Sequence, residues 1–407
     1  MADLLAGILL VLGSVAVGLW ATSAINAYSQ LPSDWEAAGA SRTRWLVLLT
    51  LFGFVTAPFY ILGPKRRMAE ALSAARANRP VIEATVLAGV DGRPGVPKPD
   101  PILVVDGVRR RFGGLTAVDV DHLEIQRGLI TGLIGPNGAG KTTLFNLLTG
   151  FDTPDDGTWQ FNGADMGGSV AHMLSSRGMV RTFQLTKALS KMTVLDNMML
   201  GGIDQRGEHF ASAFIRPAWR DEEDVLRERA LVLLDRFGMA HMTNEYAGTL
   251  SGGQRKLLEM ARALMTEPAL VMLDEPMAGV NPALTQSLLG HVKSLREEGM
   301  SVIFVEHDMD VVRDISDWVV VMAEGTVIAE GTHDDVTGDP AVIDAYLGTD
   351  HGESAAEGPV THAHQESDIV EAREELVEVI AGAGDDAAEP TEPTEPAEPT
   401  EPAGDEQ

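Results

Sequence analysis

The chain is 407 residues long, 44 % hydrophobic and free of cysteine, with a formal net charge of −29. That length accommodates two domains, or one large domain with appendages. The lack of cysteine excludes a disulfide framework, a thiol nucleophile and a zinc–thiolate site, and the negative charge argues against nucleic acid as a partner. The charge is unevenly spread. Between Asp350 and Gln407 eighteen acidic residues stand against one basic residue, Arg373, so this tail carries −17 of the total.

Two apolar stretches open the chain, Leu4 to Ala21 and Trp45 to Gly63, each about long enough to cross a bilayer. Trp20, Tyr28, Trp45 and Tyr60 sit near their ends, where amphipathic rings suit a membrane interface. Lys65-Arg66-Arg67 follows at once. The positive-inside tendency then places residue 65 onward, and the N-terminus, in the cytoplasm, with residues 23–43 outside. The expectation is a membrane hairpin over 1–67, with spans about 4–21 and 45–63. A buried core helix is the competing reading of either stretch. A cleaved signal peptide fits less well, because Met1-Ala-Asp3 carries no positive charge. Helix formers dominate 66–79, and three glycines and four prolines between Gly89 and Pro101 mark a domain boundary, so 68–100 reads as a linker.

From residue 101 the pattern alternates. Ile102–Val105, Ala117–Ile125 and Thr158–Asn162 read as strands of a β-rich portion. Leu129–Ile134, Gly178–Gln184, Ala269–Asp274 and Ser301–Val305 read as further strands, with helical patterning from Leu185 to Gly248 and over Arg255–Met265. Strands alternating with helices predict an α/β fold with a mostly parallel sheet. Beyond residue 349 the Glu-Pro-Thr and Glu-Pro-Ala repeats cannot bury a core and read as a disordered tail. His362 and His364 belong to that composition rather than to a metal site.

One stretch organises the rest: Gly135, Pro136, Asn137, Gly138, Ala139, Gly140, Lys141, Thr142 and Thr143. It matches G-x-x-x-x-G-K-[ST], placed after a buried strand and before the helix opening at Leu144, the context the motif requires. The glycines let backbone N–H groups converge on a phosphate at a helix N-terminus. Lys141 reaches the terminal phosphates, and the Thr142 hydroxyl ligates Mg²⁺. Asp274 ends an apolar strand as a metal-binding carboxylate should. Glu275 follows it and is placed to polarise an attacking water. Gln184 carries an amide suited to both the metal shell and that water. His307 stands at the end of the next strand, between Glu306 and Asp308. A second Gly-rich helix start, Ser251, Gly252, Gly253 and Gln254 after Leu250, supplies a second anion cradle, whose simplest use is on ATP bound to another subunit.

With these motifs in place, residues 101–349 resemble the ABC ATPase family. The resemblance implies a P-loop NTPase fold of the ABC type, with a parallel-rich sheet, a β subdomain and a helical subdomain. It implies ATP and Mg²⁺ as cofactors, two domains sandwiching two ATP molecules, Phe112 stacked on adenine, and a D-loop at Ala278-Gly-Val-Asn281. Arg111–Val118, Thr149-Gly-Phe151, Arg181-Thr-Phe-Gln184, Ala278–Pro282 and Ala345-Tyr-Leu-Gly348 are further similar to the LivG-type ATPases of branched-chain amino acid uptake systems. Those work with a second ATPase, permease subunits and a solute-binding protein at the cell membrane. The expected function is therefore transport-coupled ATP hydrolysis, with import of branched-chain amino acids or related small polar solutes. A membrane-anchored ATPase for lipid or envelope extraction, or for remodelling partners, is the alternative.

Overall fold

The structure is a computed structural model that describes residues 2–30, 32–68, 82–182, 188–202 and 220–350. The expectation of a disordered tail, Gln184, and the parts 185–187 and 203–219 of the stretch between Leu185 and Gly248 fall outside the described residues.

Both N-terminal apolar stretches are helical: α1 is Ala2–Ser29 and α3 is Arg42–Tyr60, joined through the short helix α2, Pro32–Ala37. Among the described residues, however, no helix is long and apolar enough to cross a membrane, and the two expected spans are corrected accordingly. Two physical reasons apply. First, α3 is not one continuous apolar rod. Arg42 and Arg44 occupy its first turn, Phe52 leaves helical geometry at φ −132, and Pro58 and a wide turn over Ile61–Lys65 end it. Around the kink the Leu48 and Leu49 carbonyls accept from Thr56 Oγ1 (3.1 Å) and Trp20 Nε1 (2.8 Å).

Second, the expected topology fails. Asp34, placed outside by the sequence reading, forms a two-pronged ion pair with Arg177 of the nucleotide-binding region, at 3.0 and 2.5 Å. Both side chains are only 8 % exposed. The chain rejoins the same body at Ile82, which packs beside Leu87 and Val96 on its core. A spanning helix separates its two flanks; here both flanks of α3 rest on one body. Replacing Asp34 with asparagine leaves a buried guanidinium unpaired, at a cost of roughly 3 kcal/mol. Limited proteolysis of that variant should release the N-terminal segment faster than in the parent chain; unchanged protection would mean the ion pair does not hold it.

Among the described residues the remaining body has two sheets. Pro101–Phe112 (β1), Leu115–Gln126 (β2), Asp156–Phe161 (β4) and Ala164–Asp165 (β5) form an antiparallel sheet in the order β2-β1-β4-β5. Ile130–Ile134 (β3), Met179–Arg181 (β6), Leu270–Asp274 (β7), Ser301–Val305 (β8), Trp318–Ala323 (β9) and Thr326–Gly331 (β10) form the second, ordered β10-β9-β3-β8-β7-β6. Its pairings are parallel except β9–β10. β3, β7 and β8 are buried at every position, as continuous apolar runs in a parallel sheet should be.

Among the described residues the helices of this body are α4 (Lys141–Leu148), α5 (Ala171–Ser176), α6 (Val194–Met199), α7 (Arg220–Arg236), α8 (Gly252–Leu264), α9 (Pro282–Glu297), α10 (Met309–Ile315), α11 (His333–Thr337) and α12 (Pro340–Asp350). One apolar cluster joins α6, α7, α8 and α9 to one face of the parallel sheet, through Met198, Leu234, Leu258, Val292 and Phe304. A second joins β1, β2 and α4 to the other face. The expected α/β architecture, with its β and helical subdomains, is what forms. In register, Leu133 and Asp274 both lie beside Val305. The carboxyl ends of β3, β8 and β7 therefore finish level, the place where parallel α/β sheets present ligand-binding loops.

Candidate active site

The loop after β3 has the conformation a phosphate cradle needs. Gly135 (φ 146) and Gly140 (φ 96) take backbone angles that a side chain resists. A Cβ on Gly135 would lie 2.0 Å from the Met322 carbonyl oxygen, and one on Gly140 would lie 2.4 Å from that of Ala117. Gly140 caps α4 with no side-chain hydrogen bond, so the first N–H groups of α4 point outward without a capping oxygen. Ala139 is buried, whereas Asn137, Gly138 and Thr142 are exposed, and Pro136 and Thr143 are half-buried.

The Lys141 ammonium donates to the carbonyls of Gly135 (2.6 Å) and Pro136 (3.0 Å). Burial lowers its pKa, opposed by the charges of Glu275 and Asp274. Both carboxylates thus act on the same ammonium, although 133 residues separate Asp274 from it in sequence. Phe112 ends β1, half exposed, with the Arg110 guanidinium 4.9 Å from its ring centroid. It sits at the tip of the β1–β2 hairpin, whose stem touches Gly140 at Ala117.

Asp274 is buried at the end of β7, and its Oδ2 accepts from Arg181 Nη2 at 2.6 Å. Arg181 Nη1 donates to Asn146 Oδ1 (2.7 Å) and Thr149 Oγ1 (3.3 Å) at the end of α4. One guanidinium thus ties the strand carrying Asp274 to the helix that starts at the phosphate loop. The other carboxylate oxygen has no hydrogen-bond donor among the described residues. Mg²⁺ is commonly held by one or two protein oxygens plus substrate phosphates. Asp274 Oδ1 and the exposed Thr142 hydroxyl fit that requirement, and they are the residues that would hold the metal. Mg²⁺ bound there would neutralise charge on the phosphates.

Glu275 sits at φ 46, a left-handed angle that is uncommon for a side-chain-bearing residue. Two contacts hold this turn. The Glu275 N–H donates to the Val305 carbonyl at 3.0 Å. Lys256, on α8, donates to the carbonyls of Glu275 (3.2 Å), Pro276 (3.0 Å) and Ala278 (2.5 Å). The strained conformation is thus over-determined by its surroundings, as such angles at functional sites must be. Glu306, fully buried beyond β8, accepts from the Met277 N–H at 2.9 Å, and burial raises its pKa. His307 follows with its side chain 70 % exposed, its Nδ1 3.8 Å from Glu306 Oε2.

Ser251 caps α8 through a reciprocal box: its Oγ accepts from the Gln254 N–H, and its own N–H donates to Gln254 Oε1 at 2.9 Å. Gly252 is exposed, and Gly253 lies against the Leu284 side chain, where a Cβ would come 1.9 Å from Cδ2 and displace that methyl. The geometry therefore gathers the phosphate loop, Asp274, Glu275 and His307 along one sheet edge. Ser251 to Gln254 stand on the neighbouring helix start, joined to the turn after Glu275 by Lys256. Gln184 lies outside the described residues; the chain approaches it through Arg181 and Thr182. Sequence reasoning missed the roles of Arg181, Lys256 and Glu306. Each acts on a residue distant in sequence, and nothing in its own neighbourhood signals that contact; Arg181 stood in a quoted motif and Glu306 beside His307, but neither was given its partner.

This fold and site define a nucleotide-hydrolysing cassette of the P-loop type. The family model described as "ABC transporter" matches residues 118–278, and one described as "Branched-chain amino acid ATP-binding cassette transporter" matches 321–352. A probable branched-chain amino acid transport ATP-binding protein LivG of Archaeoglobus fulgidus is 41 % identical over 62 % of this chain and 97 % of its own length. The high-affinity branched-chain amino acid transport ATP-binding protein BraF of Pseudomonas aeruginosa is 41 % identical over 61 % of this chain and 98 % of its own. The crystal structure of the ADP conformation of an ATP-binding cassette of an ABC transporter superposes with a TM-score of 0.53 at 37 % identity, covering 61 % of this chain and 99 % of that one. The chain belongs to the ATP-binding subunits of ABC transporters, and it is an ATPase.

Proposed function

We propose that this subunit powers uptake of branched-chain amino acids or related small polar solutes from the cytoplasmic face of the cell membrane. The observation that carries the reading is the second family match. Residues 321–352 cover the end of β9, β10, α11 and α12, a part of the chain that holds none of the catalytic motifs. A generic ATPase has no need of that likeness.

In this reading the phosphate loop, Gly135 to Thr143, cradles ATP, and Lys141 exchanges its two carbonyl partners for the terminal phosphates. Asp274 and Thr142, with Gln184, hold Mg²⁺. Phe112 stacks on the adenine. Glu275 draws the proton from the attacking water, and His307, exposed at the end of β8, contacts the γ-phosphate. Ser251, Gly252, Gly253 and Gln254 close on ATP held by a second ATPase subunit. Closure is favoured because the cradle gains a phosphate partner only in the closed state, the differential binding that any ligand-driven change requires. Permease subunits receive that motion, and a solute-binding protein delivers the cargo.

Affinity capture from native membranes, with the tail as handle, tests the assignment. Two permeases, a second ATPase and an amino-acid-binding protein are expected; recovery of lipid-export machinery instead would overturn it. Removing residues 351–407 should leave the rate of ATP hydrolysis unchanged, since no residue of the site lies there. A large loss on truncation, measured on the purified subunit, would assign the tail a part in turnover.

A further inference from the structure

The N-terminal helices expose more apolar surface than packing on the ATPase body accounts for. On α3, and one residue pair beyond it, Val47, Leu51, Val55, Phe59 and Leu62 are exposed at spacings of four, four, four and three. Those are the spacings of one helical stripe, carried across the kink at Phe52, which is itself exposed. The opposite side, with Leu49, Ala57 and Tyr60, is buried against Ala27 and Trp35. On α1, Ile25 and Tyr28 are exposed as well, and the Tyr28 hydroxyl lies 3.1 Å from Thr50 Oγ1, so the two exposed surfaces adjoin beside Leu51. Exposure reaches 74 % at Leu62. A continuous patch of this kind on a soluble monomer marks an interaction surface.

The charges around it select the partner. Arg42 and Arg44 stand at one end of the stripe, and Lys65, Arg66 and Arg67 at the other. No Asp or Glu occurs between Ala37 and Met68. The hairpin's three acidic residues, Asp3, Asp34 and Glu36, all precede that stretch; Asp34 is buried against Arg177, and Glu36 is exposed on α2. An apolar stripe with cations at both ends and no acids complements an anionic lipid surface, where acyl chains take the apolar face and headgroups take the arginines and lysine. Both flanks of α3 are held on the ATPase body, so the geometry calls for a hairpin that lies in the surface rather than crosses.

We propose that the exposed stripe of α3, with Ile25 and Tyr28 of α1, seats this subunit on the surface of an anionic lipid bilayer through its own chain. The proposal rests on the membrane location given above, and specifies that lipid, rather than permease alone, supplies part of the attachment.

The test uses the purified full-length chain and sealed vesicles of phosphatidylcholine, with and without phosphatidylglycerol. The chain is expected to float with the mixed vesicles and far less with phosphatidylcholine alone, and added salt should weaken binding by screening. Combining Leu51→Asp, Val55→Asp and Phe59→Asp should reduce the bound fraction about ten-fold or more, as removal of the seated apolar face predicts. Combining Lys65→Gln, Arg66→Gln and Arg67→Gln should abolish the preference for the anionic lipid. Unchanged ATP hydrolysis by each variant in lipid-free buffer reports a folded chain, and separates failure of this proposal from failure of the ATPase assignment.

Because the chain has no cysteine, Val55→Cys carries a single environment-sensitive fluorophore, and its emission should shift to the blue on vesicle addition. This holds the proposal testable if the triple aspartate variant does not fold. Absence of flotation, or flotation that the aspartates leave untouched, overturns the proposal. So does protection of Glu36→Cys from an impermeant maleimide inside sealed vesicles, which would show a crossing. An aspartate-sensitive dimer in lipid-free solution, without vesicle binding, overturns it in favour of a second copy of this chain.

Discussion

Glu275→Gln is expected to lower ATP turnover by about a hundred- to ten-thousand-fold, the range a positioned general base contributes, while ATP still binds. The argument is geometric. Asp274 is committed to Arg181 through Oδ2, and it is buried. The next residue, Glu275, sits in a left-handed turn near enough to Lys141 for its charge to act on the ammonium, and Lys256 and the Val305 carbonyl fix the backbone of that turn. Glutamine keeps the size and the hydrogen-bonding reach but cannot accept the water's proton. Nucleotide affinity, measured with a fluorescent ATP analogue, should therefore stay near that of the parent chain while single-turnover hydrolysis collapses. Because ATP is then retained, the ATP-bound pair of subunits should accumulate, visible as a larger species in sedimentation. Near-normal hydrolysis would remove Glu275 from the role of base and shift it to His307 or to a residue outside the described segments.

The phosphate loop, Asp274 and Glu275 were legible in the sequence because each is a local pattern. Glycines at fixed spacing and carboxylates at the end of an apolar run encode their own backbone geometry. The strand order was not legible, although the strands were. Which ends finish level depends on β3 inserting between β8 and β9, and no run of residues states that pairing. Arg181 shows the same limit: its partners are Asn146, Thr149 and Asp274, and only the assembled sheet brings them to one guanidinium. The N-terminal hairpin shows a different limit. Hydropathy reads how apolar a segment is but not what holds its flanks, so it cannot register that Asp34 meets Arg177 across 143 residues. The prolines and glycines of 89–101 were read as a break between domains. In the structure Val90 and Val96 pack on the β1–β2 core, and Gly95 and Lys98 bond to a carboxylate of β10.

That carboxylate sets the largest expected effect on stability. Glu330 is wholly buried and accepts from the Gly95 N–H (2.6 Å), Lys98 Nζ (2.7 Å) and Trp318 Nε1 (3.1 Å). Lys98 itself is 1 % exposed, its ammonium 4.9 Å from the Trp318 ring centroid. Lys98→Met removes the only formal positive charge among these contacts and leaves a carboxylate in the interior. Breaking a buried pair from one side costs about 3–5 kcal/mol, and in a domain of this size each kcal/mol lowers Tm by roughly 2–4 °C. Calorimetry should therefore show a large drop. The effect should reach the site, because Trp318 is paired in register with Thr131 on β3, the strand that delivers the phosphate loop. Adding Glu330→Gln to Lys98→Met should restore part of the loss: no charge remains buried, and the one amide oxygen keeps an acceptor for Gly95 or for Trp318, which the carboxylate served through its two separate oxygens. A single variant as stable as the parent would show that Glu330 draws its compensation from elsewhere. A double variant no better than the single would show that packing of the Lys98 stem, and not its charge, is what holds residues 91–98 to the sheet.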